Sequence, residues 1–81
     1  MDSTTVKDKI IKIIAETLKT TEEDVQNTPV LDELGIDSVY FIEIVLHIED
    51  KFGIQFEEDM LVYSKFPDLD TLVKYVLQLT E

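Results

Sequence analysis

Val6, Ile10, Ile13, Ile14 and Leu18 recur at steps of three and four through an otherwise polar stretch. This spacing predicts an amphipathic helix over residues 4–19, with Ser3 or Thr4 as its cap. Phe41, Ile44, Val45, Ile48 and Phe52 repeat the pattern and predict a helix over 38–52. Leu69, Leu72, Val73, Val76 and Leu77 predict a last helix over 69–79, capped by Asp68. Between the first two runs, Thr20 to Ile36 is polar, holds Pro29 and Gly35 and keeps no period, so it reads as a long loop anchored by Val25, Val30, Leu31 and Leu34. Thr20 with Glu23, or Thr21 with Asp24, offers a cap for a short helical turn inside it. Gly53 to Phe56 breaks the second helix and is the only stretch to invite a strand, Glu57 to Leu61 reads as a short acidic turn of helix, and a connection follows through Tyr63 to Pro67. The fold class expected is all-α: a four-helix bundle with three longer helices, one short helix and a long first loop, residues 1–81 forming one domain.

The middle helix has more apolar residues than one buried face requires. At about 100° per residue, Phe41, Ile44, Val45, Ile48 and Phe52 share a core arc, and Tyr40, Glu43, His47, Asp50 and Lys51 share the opposite, solvated arc. Val39, Ile42 and Leu46 form a shoulder between the two, on the side that begins at Ser38, with Glu49 beside it. The shoulder is either a docking strip or a surface packed beneath the loop 20–36.

The junction that starts this helix holds the chain's candidate chemistry. Gly35 frees the backbone for a turn, and Asp37 is a strong N-cap. Ile36 and Phe41 have the spacing of a hydrophobic staple, which fixes the direction in which the chain joins the helix. Ser38 is then the first helical residue. Its hydroxyl lies at the positive end of the helix dipole, a setting that favours a phosphate ester.

Charge sharpens this picture. The net charge is −11, and the imbalance lies in the middle of the chain: residues 21–59 carry twelve acids and one lysine, Lys51, whereas the six acids and six lysines elsewhere cancel. Such a field disfavours nucleic acid and anionic membrane and speeds encounter with basic protein surfaces; acidity that merely maintains solubility accounts for the total and not for its segregation. No apolar run approaches the ~20 residues that span a bilayer, and the first residues lack a signal-peptide core, so a cytoplasmic protein is expected. The chain has no cysteine, so any thiol chemistry arrives on a prosthetic group.

Other chemistries fail on geometry. Ser38 and His47 lie nine residues apart on one helix, roughly 13 Å along the axis, too far for a nucleophile and its base. Asp32, Glu33 and Asp37 lack the alternation and closing glutamate of a calcium loop, so no metal site is expected. A chain of 81 residues also has little room for a pocket that would perturb its carboxylates, and intrinsic catalysis is not expected.

The run Leu34-Gly35-Ile36-Asp37-Ser38-Val39, followed by Glu43, Glu49-Asp50 and Phe52-Gly53-Ile54, closely resembles the acyl carrier proteins over nearly the whole chain. Val39 stands where that family usually has leucine. The resemblance implies an acyl-carrier-like bundle with 4'-phosphopantetheine esterified to Ser38 and Asp37 as the motif acid. It also implies docking through Val39, Tyr40, Ile42, Glu43, Leu46, Glu49 and Asp50. The implied partners are a phosphopantetheinyl transferase and acyl-loading and acyl-processing enzymes with basic surfaces, meeting a monomeric, non-catalytic carrier. Gly35-Ile36-Asp37-Ser38 resembles the acyl branch more than the peptidyl one. Tyr40, where fatty-acid carriers commonly have an acid, and Lys65-Phe66-Pro67-Asp68 incline the reading to a polyketide or mixed polyketide-peptide pathway. The alternatives are an aminoacyl, peptidyl or D-alanyl carrier, a fatty-acid carrier, and, from another class, an unmodified acidic helical adaptor.

Overall fold

The computed structural model describes residues 2–28 and 30–80. Among the described residues four α-helices make up the fold: α1 (Ser3–Leu18), α2 (Glu22–Asn27), α3 (Ser38–Phe52) and α4 (Leu69–Thr80). Three single 3-10 turns, Leu31–Leu34, Glu58–Met60 and Tyr63–Lys65, punctuate the connections. No strand forms among the described residues, and an isolated antiparallel bridge between Val30 and Asp68 ties the first long connection to the start of α4. Leu31 N reinforces it by donating to Pro67 O at 3.2 Å.

Helix α1 is the hub and packs against α2, α3 and α4. Three neighbours require a wide apolar arc, and α1 accordingly buries Ile11 and Ala15 beyond the five-residue stripe that its period predicts, while Leu18 is only half-buried. Its cap is Asp2, one residue before the candidates Ser3 and Thr4, accepting from Thr5 N at 2.8 Å. The turn capped by Thr21, which accepts from Asp24 N at 3.1 Å, extends into α2, and Val25 pins α2 to the core. The acidic turn predicted over 57–61 is a three-residue 3-10 turn at Glu58–Met60. Of residues 58–60 only Met60 packs against the core, and only partly, so little packing holds a longer helix there.

An aromatic cluster closes the bundle beneath α3. Phe66, fully buried, stacks on Phe41 with centroids 5.5 Å apart, and Phe56 meets Tyr75 edge-on at 4.9 Å. Two tethers hold the connection that follows α3: Phe56 N donates to Glu49 Oε2 at 2.8 Å, and Glu57 N donates to the Tyr75 hydroxyl at 3.1 Å. Helix α4 is capped as expected, Asp68 Oδ1 accepting from both Thr71 N and Thr71 Oγ1.

Candidate functional site

The start of α3 is built by local rules. Gly35 ends the 3-10 turn at φ 82°, a left-handed conformation that strains residues with a side chain, and its N–H returns to Leu31 O and Asp32 O. Ile36 and Phe41, the staple positions, are both buried. Asp37, extended at φ −108°, accepts from Tyr40 N through Oδ1 at 2.9 Å, and its carbonyl accepts from Phe41 N at 2.8 Å. Ser38 therefore opens the helix. Its side chain is exposed, and its hydroxyl forms no hydrogen bond among the described residues. The amides of Ser38 and Val39 likewise have no acceptor there, as the first turn of any helix leaves them.

The candidate docking residues divide. Val39 and Leu46 are 69% and 59% exposed, Tyr40 and Ile42 each 40%. The shoulder does not pack beneath the connection that precedes it. Glu43 and Asp50 are exposed beside it. Glu49 differs: it is half-buried, with one carboxylate oxygen committed to Phe56 N. Leu61 and Val62, exposed between the last two 3-10 turns, are further apolar surface that helical periodicity could not flag, because neither lies on a helix.

Other groups stay apart from Ser38. His47 is exposed on α3 and lines a shallow groove with Lys9, Lys12, Glu16, Asp50 and Lys51 that does not include Ser38. No cluster of three metal-ligating side chains exists among the described residues. Tyr63, read from sequence only as part of a connection, lies against Phe41 with ring centroids 5.7 Å apart. Its phenol is pushed above the ordinary tyrosine value, first by burial and then by the Asp32 and Asp37 carboxylates.

No helix is long and apolar enough to cross a membrane among the described residues. The family model described as the phosphopantetheine attachment site matches residues 8–76. Proteins of this family carry covalently attached 4'-phosphopantetheine, receive it from a phosphopantetheinyl transferase, and act as carriers for other enzymes without catalysing a reaction themselves. The donor set at the start of α3 suits that group: an unengaged alcohol beside two free amides accommodates a phosphodiester and its charge. With the match extending from within α1 to within α4, the chain belongs to the phosphopantetheine-binding carrier family.

Proposed function

We propose that Ser38 is the attachment residue and that the chain is an acyl carrier domain. The observation that carries this reading is an exposed serine hydroxyl, without a hydrogen-bond partner among the described residues, on the first turn of a capped helix in a chain of this family. When bound, the arm supplies a terminal thiol on which an acyl group is held as a thioester. Asp37 fixes the helix start and so the direction of the Ser38 Cα–Cβ bond, and the first-turn amides of Ser38 and Val39, without an acceptor among the described residues, would suit the phosphodiester charge. Tethering raises the local concentration of cargo at each partner's active site without any contact to the cargo itself.

Docking is assigned to Val39, Tyr40, Ile42 and Leu46, ringed by Glu43 and Asp50 and by the remaining charge of Glu49. Exposed apolar groups fringed by carboxylates suit weak, rapidly exchanging contact with basic enzyme surfaces. The −11 charge supports avoidance of nucleic acid and anionic membrane, and a cytoplasmic, monomeric carrier belongs to the same proposal. Of the two features that favour a polyketide or mixed polyketide-peptide pathway, Lys65–Asp68 is explained by folding: Phe66 is a core anchor and Asp68 a helix cap. Tyr40 alone retains that preference. Coexpression with a broad-specificity transferase tests the class of function. The carrier gains the mass of a single phosphopantetheine, whereas an unmodified adaptor gains none.

A further inference from the structure

One buried side-chain polar atom among the described residues has no hydrogen-bond partner, the Tyr63 hydroxyl oxygen. Leaving such a group unpaired is unfavourable, and phenylalanine would fill the same space without the penalty. The other tyrosines do not share this condition: Tyr40 is exposed, and the Tyr75 hydroxyl accepts from Glu57 N. The ring of Tyr63 lies against Phe41, three residues beyond Ser38 on α3. The carboxylates that act on its phenol, Asp32 and Asp37, belong to the 3-10 turn and the cap just before Ser38. The hydroxyl is thus held under the start of α3, near the proposed attachment residue, and the fold itself makes no use of it.

The surroundings select what it would bind. Burial and two nearby carboxylates keep the phenol protonated, so it is a donor. The phosphodiester charge is already matched by the Ser38 and Val39 amides, and the same carboxylates favour a neutral acceptor for the phenol over a further anion. A neutral carbonyl oxygen remains. The group carried at Ser38 offers that chemistry in the amides of the arm and in the carbonyls of the cargo, the thioester carbonyl included. We infer that the Tyr63 hydroxyl donates a hydrogen bond to a neutral carbonyl of the group carried at Ser38, making Tyr63 a positioning residue for the arm or its cargo. This rests on Ser38 being the attachment residue. Because the hydroxyl oxygen is buried, the contact requires the adjoining 3-10 turns to yield locally; beside the Phe66 anchor they are held by short-range bonds such as Met60 N to Glu57 O and Phe66 N to Tyr63 O, and by Lys65 Nζ to Asp59 O.

The test compares Tyr63→Phe with the parent chain in four forms: unmodified, arm-bearing, hexanoylated and 3-oxohexanoylated, the last three made with a transferase from coenzyme A or the corresponding acyl-coenzyme A. Tyr63→Phe is expected to raise the melting temperature of the unmodified form by roughly 4 °C, since it removes an unpaired buried hydroxyl. That gain should disappear in a form that supplies the acceptor. Disappearance in all three modified forms identifies an arm amide, disappearance in both acylated forms alone identifies the thioester carbonyl, and disappearance only in the 3-oxo form identifies the further carbonyl of the cargo. An equal gain in all four forms overturns the inference while leaving Ser38 as the attachment residue. Peptide mapping of the modified protein separates the two failures, because a group found at another residue overturns the attachment reading itself.

Discussion

At the scale of single residues, exposure decides between docking and packing. Leu46 is 59% exposed and Ile44, two positions earlier on α3, is 1% exposed. Leu46→Gln should leave the melting temperature within about 2 °C of the parent while slowing acyl loading, because little apolar area leaves water there on folding. Ile44→Ala should cost about 2 to 5 kcal/mol through the cavity it leaves. Thermal melts of the two variants check the contrast, and a Leu46→Gln as unstable as Ile44→Ala would place the shoulder in the core. The acid limb of stability is also a residue-scale property. Two hydrogen bonds from Thr71, its hydroxyl first and then its amide, hold the Asp68 carboxyl below 3.8. The folded state therefore binds that proton less tightly than the unfolded chain, and the contribution is fully present above pH about 4 and lost as pH falls through the lowered value. Thr71→Val should lower the melting temperature at neutral pH, with the difference from the parent shrinking below pH about 4. A difference that is constant from pH 6 to 2 would show that this bond does not couple to the proton.

At the scale of elements, caps and tethers set the geometry around Ser38. Removing the cap in Asp37→Ala should cost about 1 kcal/mol and slow modification of Ser38 further than that loss of stability explains, since the first turn of α3 frays. Glu43→Lys and Glu49→Lys separate charge from tethering. Both reverse a charge beside the shoulder, yet only Glu49 accepts from a backbone amide, Phe56 N. Reversal at Glu43 should reduce the transferase association rate at unchanged stability, whereas reversal at Glu49 should also lower the melting temperature. Equal stabilities would remove the tether from the account. The elements themselves were legible where packing follows period. The bounds 38–52 of α3 and the start of α4 at Leu69 agree with the spacing of their apolar residues, and α1 is displaced from 4–19 by one residue at each end, because Asp2 takes the N-cap and Lys19 turns left-handed as the C-cap. Helix α2 escaped as an element because six residues with one buried side chain, Val25, carry no measurable period; only its Thr21 cap was visible. The aromatic cluster escaped for a different reason. Phe56, Tyr63 and Phe66 lie in connections, and what brings them together is tertiary: the Val30–Asp68 bridge and the tethers from Glu49 and Tyr75. At the site, Ser38 and Asp37 were legible from the motif and the cap. The free hydroxyl of Tyr63 was not, since an unpaired donor is defined by its neighbours.

At the scale of the whole molecule, charge is segregated and little compensated. Nearly all of the twelve acids of residues 21–59 are exposed, and the single ion pair found among the described residues, Lys7 to Asp70 at 3.6 Å, involves none of them. Self-repulsion should therefore be relieved by screening, and the melting temperature should rise between 10 mM and 300 mM salt. A melting temperature indifferent to salt would mean that the acids are too far apart to repel. The same field is what a basic partner meets first, so the second-order rate of modification should fall with added salt while the protein itself becomes more stable. The central claim is the identity of the attachment residue, and intact mass tests it most directly. Ser38→Ala removes one exposed hydroxyl and leaves the Asp37 cap in place, so the variant should remain folded. Incubated with coenzyme A and a transferase that modifies the parent chain, it should show no increase in mass, whereas a gain of one phosphopantetheine on folded Ser38→Ala would contradict the account.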